Sequence, residues 1–259
     1  MQRKGGEDRP VGPPVAGWTP VAEPRGVVRE GHWARIEPLD PARHAADLFA
    51  AFDGHDAIWD YIAWGPYRAL SAFHKALGDL CATPGWSYCA IIDRSTDRAV
   101  GKAAWMNITP EHGVIEVGGI VISPALQRTP AATEAMVLMM DWALEAGYRR
   151  YEWKCDALNA PSRAAAQRLG LGFEGVFRNH LVVKGRSRDT AWFAATDADW
   201  PALRAAFDIW LAPENFDETG RQRERLSSLT ALTGRTPDTG AFGAPRQGDP
   251  RAAMVERAR

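Results

Sequence analysis

The sequence predicts a mixed α/β (α+β) domain built on a mostly antiparallel sheet, with helices packed against it in layers. Three observations carry the prediction. Short apolar runs bounded by turn residues recur from 27 to 122. Three of them, 87–93, 99–108 and 114–122, are joined by RSTD and TPEHG, too short for a crossover, so they form an antiparallel meander. The period then lengthens to that of a helix, and strand and helix alternate before a closing hairpin.

Taken in order, 27–30 and 34–39 read as a short strand pair. Asp40 followed by Pro41 is a helix start, with Asp as the cap and Pro in the first turn. That helix buries Leu48, Phe49 and Phe52, and 71–81 forms a second. After the meander, 132–146 is helical, with Ala135, Leu138, Met139 and Trp142 on one face and Gly147 as its stop. YEWKC at 151–155 is a strand, and Asn159 caps a helix that Gly170 ends. Strands 173–183 and 189–196 are joined by KGRS. Asp199, Trp200 and Pro201 open a last helix that buries Trp200, Leu203, Phe207 and Trp210.

The domain is expected to span 27–217. Residues 1–26 hold five Gly and five Pro and predict a flexible or draped tail. From 218 to 259, eight Arg stand against five acids and Gly and Pro break the chain. That predicts a weakly basic flexible tail with a short helix near 221–232 and a helical turn or two in RAAMVERAR.

Composition narrows the function. With 31 basic and 32 acidic residues the net charge is −1, so no global field recruits nucleic acid or an anionic membrane. No apolar run reaches the length of a membrane span, and the basic first ten residues lead into no apolar stretch. A cytoplasmic protein is the expectation. Three cysteines without a C-x-x-C exclude a disulfide framework, and the six His have no metal-ligand spacing, so no metal is expected.

Chemistry concentrates at 114–135, VIEVGGIVISPALQRTPAATEA. A strand runs through a loop into a helix N-terminus, whose free N–H groups and dipole favour an anion. Gly118-Gly119 within the strand predicts a bulge that parts it from a neighbour. An ordinary strand-to-helix crossover is the competing reading. At the next such junction, Asn159-Ala-Pro-Ser162 reads on its own as capping.

The run EVGGIVISPALQRTPAATEA, followed by NAPSRAAAQRLGLGFEG, resembles the GNAT acyl-CoA-dependent N-acetyltransferases, within them the RimJ/RimL type. The resemblance covers about residues 27–200. YIAWGPY and HLVVKGRSRDTAW are similar to one bacterial group of that branch. It implies a sheet with a splayed central strand pair and helices on both faces. It also implies acetyl-CoA or another acyl-CoA as co-substrate and an amine acceptor as partner. A homodimer stays open.

By this resemblance Gln127, Arg128, Thr129, Pro130, Ala131 and Ala132 form the pyrophosphate loop. Pro130 replaces a usual Gly and withholds one N–H, while Arg128, at another frequent Gly position, supplies charge. Ile120, Val121 and Ile122 receive the acyl-pantetheine arm, with one amide as oxyanion donor, and Asn159 bonds the arm. Glu116 is implied as the base, acting through water, with burial beside Ile115 and Val117 raising its pKa. The alternative is a carboxylate on a wet face. Ala166 stands where the family often has an acidic Tyr, so Ser162 takes the acid role, or else only caps its helix.

Trp64 and Tyr67 wall the acceptor pocket or plug an aromatic core. Arg178 and His180 belong at the substrate end. The turn Lys184 to Arg188 is a solvated hairpin tip or an anion contact. Cys155 offers a covalent route or is simply a buried hydrophobe. The expected activity is transfer of an acetyl or related acyl group to a primary amine by direct attack. The alternative, motivated by Pro130 and Ala166, is a catalytically degraded acyl-CoA-binding or sensing module.

Overall fold

The computed structural model describes residues 11–231 and 236–239. Among these described residues eight strands form one sheet in the order β1-β2-β3-β4-β5-β6-β8-β7. They are β1 (Arg29–Glu30), β2 (Ala34–Pro38), β3 (Ser87–Asp93), β4 (Arg98–Thr109), β5 (Val114–Ile122), β6 (Arg150–Asp156), β7 (Gly172–Val183) and β8 (Arg186–Thr196). The meander forms as expected, and of the described pairs only β5 with β6 is parallel. The helices are α1 (Pro41–Phe52), α2 (Leu70–Cys81), α3 (Pro130–Glu145), α4 (Ala160–Arg168), α5 (Trp200–Leu211) and α6 (Leu226–Ala231).

Capping decides where the main helices begin. Asp40 accepts from the Ala42 amide at α1, Thr129 from Ala132 at α3, and Asn159 from Ser162 at α4. The sheet separates two cores. On the rear face Trp105, Ile115, Val117, Tyr151, Trp153 and Phe193 join α3, α4 and α5. On the front face Tyr88, Ala90, Ile92, Ala104 and Val121 meet α1, α2 and Trp59. Each such fully buried large apolar side chain contributes about 2 kcal/mol.

Helix α3 is buried on almost every side, Glu134 included. Its carboxylate is satisfied by the backbone amides of His32 (2.9 Å), Trp33 (2.6 Å) and Ala34 (2.6 Å). The carboxylate sits against Gly31, where a Cβ would collide with it. One buried anion thus ties the first turns of α3 to the β1–β2 turn.

Strand β5 carries the feature that opens the molecule. Lys102 pairs with Val121 and Ala104 with Gly118, so Ala103 alone faces both Gly119 and Ile120. Gly119 adopts φ 58°, a conformation that disfavours any side chain. On the other side, the pairing of β5 with β6 ends at Val117 and Trp153. Residues 118–122 and 154–156 then diverge, leaving a slit through the sheet.

Both flanking segments make contacts beyond 27–217. Trp18 Nε1 donates to the Glu111 carbonyl (2.8 Å), Tyr148 Oη to Ala22 (3.2 Å) and Ser87 Oγ to Pro24 (2.6 Å). At the other end Leu226 is fully buried, Thr230 nearly so, and Arg163 pairs with Asp238 at 2.5 Å. The short helix read near 221–232 corresponds to α6, and Leu226 and Leu229 bury apolar surface against α4 and α5, so this part of the segment is anchored to the domain and not a free tail. RAAMVERAR and residues 1–10 lie outside the described residues.

Candidate active site

The slit between β5 and β6 opens into a cleft of about 2120 Å³, larger than a typical small-molecule pocket and roomy enough for two ligands. Glu116, Ile120, Val121, Ile122, Gln127, Arg128, Thr129, Pro130, Ala132, Asn159, Ser162, Trp64 and His180 line it. Three expected residues do not. Ala131 is turned into the rear core, so only its backbone remains near the loop. Tyr67 packs on Trp59 and Phe73 with ring centroids 5.6 and 5.3 Å apart, plugging the front core. Arg178 is exposed on the edge strand β7, inside the irregular stretch between Phe177 and Leu181, where His180 and not Arg178 lines the cleft.

The loop after β5 is a tight turn. The carbonyl of buried Ser123 accepts from the amides of Leu126 and Gln127, and Leu126 anchors the loop in the core. Gln127 Nε2 donates back to the Ile122 carbonyl (3.2 Å). Thr129 Oγ1 donates to Leu126 and accepts from Ala132. The cap therefore consumes the Ala132 amide, and Pro130 has none. Arg128 stands at φ 63°, a left-handed conformation that costs a non-glycine residue about 1 kcal/mol.

Glu116 is 4% exposed and lies on the front face. Its Oε2 accepts from Asn107 Nδ2 (2.5 Å) and pairs with Lys154 Nζ (2.9 Å), which also pairs with Glu152 (2.8 Å). Burial pushes the Glu116 carboxyl above its ordinary value, more than Lys154 and Asn107 pull it down. Glu152 is buried too, but hydrogen bonds from Lys154 and Arg150 hold it below the usual carboxylate range. Two carboxylates on adjacent strands are thus pushed apart in acidity.

Lys102 is completely buried on the same face. Its Nζ donates to the Gly119 carbonyl (3.1 Å) and lies 4.8 Å from the Tyr88 ring and 5.3 Å from the Trp64 ring. Burial pushes its pKa down to about 7. In a trans peptide the carbonyl and the following N–H point opposite ways. With the Gly119 carbonyl held by Lys102, the Ile120 N–H points away from the lysine.

Ser162 belongs to the rear side. Its Oγ accepts from Trp153 Nε1 (3.0 Å), which leaves its proton to donate. Ala166 is fully buried in the core. Cys155 is 5% exposed, and burial pushes its thiol up to about 11, so it stays protonated at neutral pH and is a poor nucleophile. The hairpin of β7 and β8 reaches over the cleft, where Lys184 Nζ donates to the Trp59 carbonyl (3.0 Å). Among the described residues no helix is long and apolar enough to cross a membrane, and no cluster of His, Cys, Asp or Glu suits a metal.

The sequence reading missed Lys102, Asn107, Lys154 and Trp192. Lys102 and Lys154 sit at inward positions of alternating strands, a signal masked because lysine ordinarily faces solvent.

Comparison with known proteins bears on this geometry. The profile of the acetyltransferase (GNAT) domain matches residues 34–172. A GCN5-related N-acetyltransferase from Brucella melitensis is 42% identical, with 84% of this chain and 100% of that one covered and a TM-score of 0.82. A probable GNAT-family acetyltransferase from Chromobacterium violaceum is 39% identical, with 75% and 98% covered and a TM-score of 0.71. An acetyltransferase from Salmonella typhimurium that modifies the N-terminal serine of ribosomal protein L7/L12 shares the fold at 17% identity, with 64% and 96% covered and a TM-score of 0.56. No curated protein matches the chain. A matched domain over more than half the residues, together with close likeness in sequence and fold to the Brucella protein, shows that this chain is an acetyltransferase of the GNAT family.

Proposed function

We propose that the cleft binds an acyl-CoA, acetyl-CoA first, and moves its acyl group directly onto a primary amine, as in the RimJ/RimL branch. The amine is a protein N-terminus or a small molecule. The observation that carries this reading is the parting of β5 from β6 after Val117 and Trp153, beside a loop and helix mouth suited to phosphates. The pantetheine arm lies along Ile120–Ile122, with Asn159 beside it, and the loop from Gln127 to Ala132 meets the pyrophosphate. Pro130 and the Thr129 cap leave fewer amides there, and Arg128 adds charge.

In the reaction the amine nitrogen attacks the thioester carbon, the C–N bond forms, and the C–S bond breaks. Glu116, directly or through water, takes the amine proton. The Ile120 N–H, directed by the hold of Lys102 on Gly119, stabilises the oxyanion. Ser162 donates its proton to the departing thiolate and regains one from solvent, to which Glu116 releases the proton it took from the amine. Burial of Glu116 matches it to its task, because a more basic carboxylate removes a proton more readily.

Glu116→Gln is expected to lower kcat at least about 100-fold in a free-thiol release assay over an amine panel. Coenzyme A binding by calorimetry stays unchanged. The acid limb of kcat/KM against pH, falling as Glu116 is protonated above the ordinary carboxylate range, disappears. Unaltered turnover removes Glu116 from the mechanism. Binding without thiol release for any amine in the wild-type protein favours the second reading, a sensing module, which Pro130 and Ala166 motivate.

A further inference from the structure

We propose that Arg188 recognises a carboxylate carried by one of the two substrates, on the acceptor amine or on the acyl chain. The inference rests on the reading of the cleft as an acyl-transfer site and names the chemistry that its front half selects.

Arg188 lies on β8 in register with Leu181 of β7, and it lines the cleft. Strand alternation puts it on the same face as Thr190 and Trp192, which pair with Asp156 and Lys154 of β6. Lys154 in turn holds Glu116. Arg188 Nε is buried and makes no hydrogen bond, and no carboxylate pairs with its guanidinium among the described residues. The nearby acids have other partners. Glu116 and Glu152 share Lys154, Asp156 accepts from the Leu158 amide, and Asp189 accepts from the Asn179 amide.

A second donor shares this condition: Trp192 Nε1, on the same face and also lining the cleft, is buried without a partner. Buried donors without acceptors are rare, because each forfeits the water it had in the unfolded chain. Two of them on one wall of a cleft mark where a ligand supplies the acceptors. A guanidinium is a planar fork of donors, and a carboxylate fits it with two parallel hydrogen bonds. A neutral ligand would leave the charge desolvated. On this geometry the reacting amine sits toward Glu116 and the carboxylate toward Arg188.

The test is thiol release by wild-type protein, Arg188→Gln and Arg188→Lys in two arms. In the first, acetyl-CoA is the donor and each L-amino acid is compared with its carboxamide. In the second, succinyl-CoA is compared with neutral butyryl-CoA, by turnover and by calorimetric binding. The expected result is a tenfold or greater loss in kcat/KM or affinity for Arg188→Gln with the carboxylate member of one arm. The neutral member changes less than twofold, and Arg188→Lys restores part of the loss. The affected arm names the source. The proposal is overturned if wild type prefers the carboxylate in neither arm, or if Arg188→Gln lowers charged and neutral members alike. Equal melting temperatures of the three proteins separate a binding effect from misfolding. Coenzyme A itself has no acyl carboxylate, so its failure to bind wild type refutes the acyl-transfer reading instead.

Discussion

Replacing Lys102 by methionine keeps the length of the side chain and removes its charge, and the consequence can be worked out against pH. In the folded protein burial lowers the lysine to about 7, against an ordinary value of 10.5. Between those values the unfolded chain binds a proton that the folded chain does not, so stability rises with pH. Below the folded value Lys102 is charged in both states, and the full gap acts as a penalty of about 5 kcal/mol. By pH 9 most of the lost proton has been recovered as stability, and the penalty falls to about 2 kcal/mol. Urea denaturation of both proteins at pH 6 and pH 9 reads the difference. The wild-type protein should gain about 2.5 kcal/mol more than Lys102→Met across that interval. Thiols and carboxylates common to the two proteins cancel in the comparison. Parallel pH profiles would refute the reasoning, because they would mean that the buried amine keeps its proton through its contacts with Trp64, Tyr88 and the Gly119 carbonyl.

Other perturbations test the frame around the site. Glu134→Ala leaves the amides of His32, Trp33 and Ala34 without their acceptor and should cost about 3–5 kcal/mol in urea denaturation; a loss under about 1 kcal/mol would mean water replaces the carboxylate. Arg128→Gly relieves a left-handed backbone but loosens the unfolded chain, so stability should stay within about 1 kcal/mol of wild type. The same variant removes a cation from the loop, and its Kd for coenzyme A should rise about fivefold by calorimetry. An unchanged Kd would separate Arg128 from the phosphates.

Much of this architecture was legible in the residues because local chemistry and tertiary packing agree. Asp40-Pro41 and Asn159 open helices where they should, and 87–93 and 114–122 are strands to the residue. Gly118-Gly119 points to the bulge, the strand-to-helix junction points to an anion site, and the bounds of the loop from Gln127 come from the family resemblance. What stayed hidden or undecided depends on how the elements pack. For Tyr67 the residues left two readings open, pocket wall and core plug, and the packing of Trp59 and Phe73 on it selects the second. Of the two candidates Arg178 and His180 only His180 lines the cleft, since the chain between Phe177 and Leu181 leaves the β7–β8 register, and an irregularity of that kind leaves no mark on an alternating pattern. After α5, Leu226, Leu229 and Thr230 stand at i, i+3 and i+4 and fit the short helix read there, but so short a pattern among Gly, Pro and Arg does not reveal that it packs on α4 and α5.

The matched acetyltransferase domain runs from Ala34 to Gly172 and stops at the first residue of β7. Glu116, the loop from Gln127 and α4 all fall inside it. The hairpin that roofs the cleft, with His180, Arg188 and Trp192, falls outside. The family profile therefore covers the proposed base, the loop and α4, and leaves the hairpin unaddressed. A protein can match that profile in full and still carry a different ribbon over its cleft.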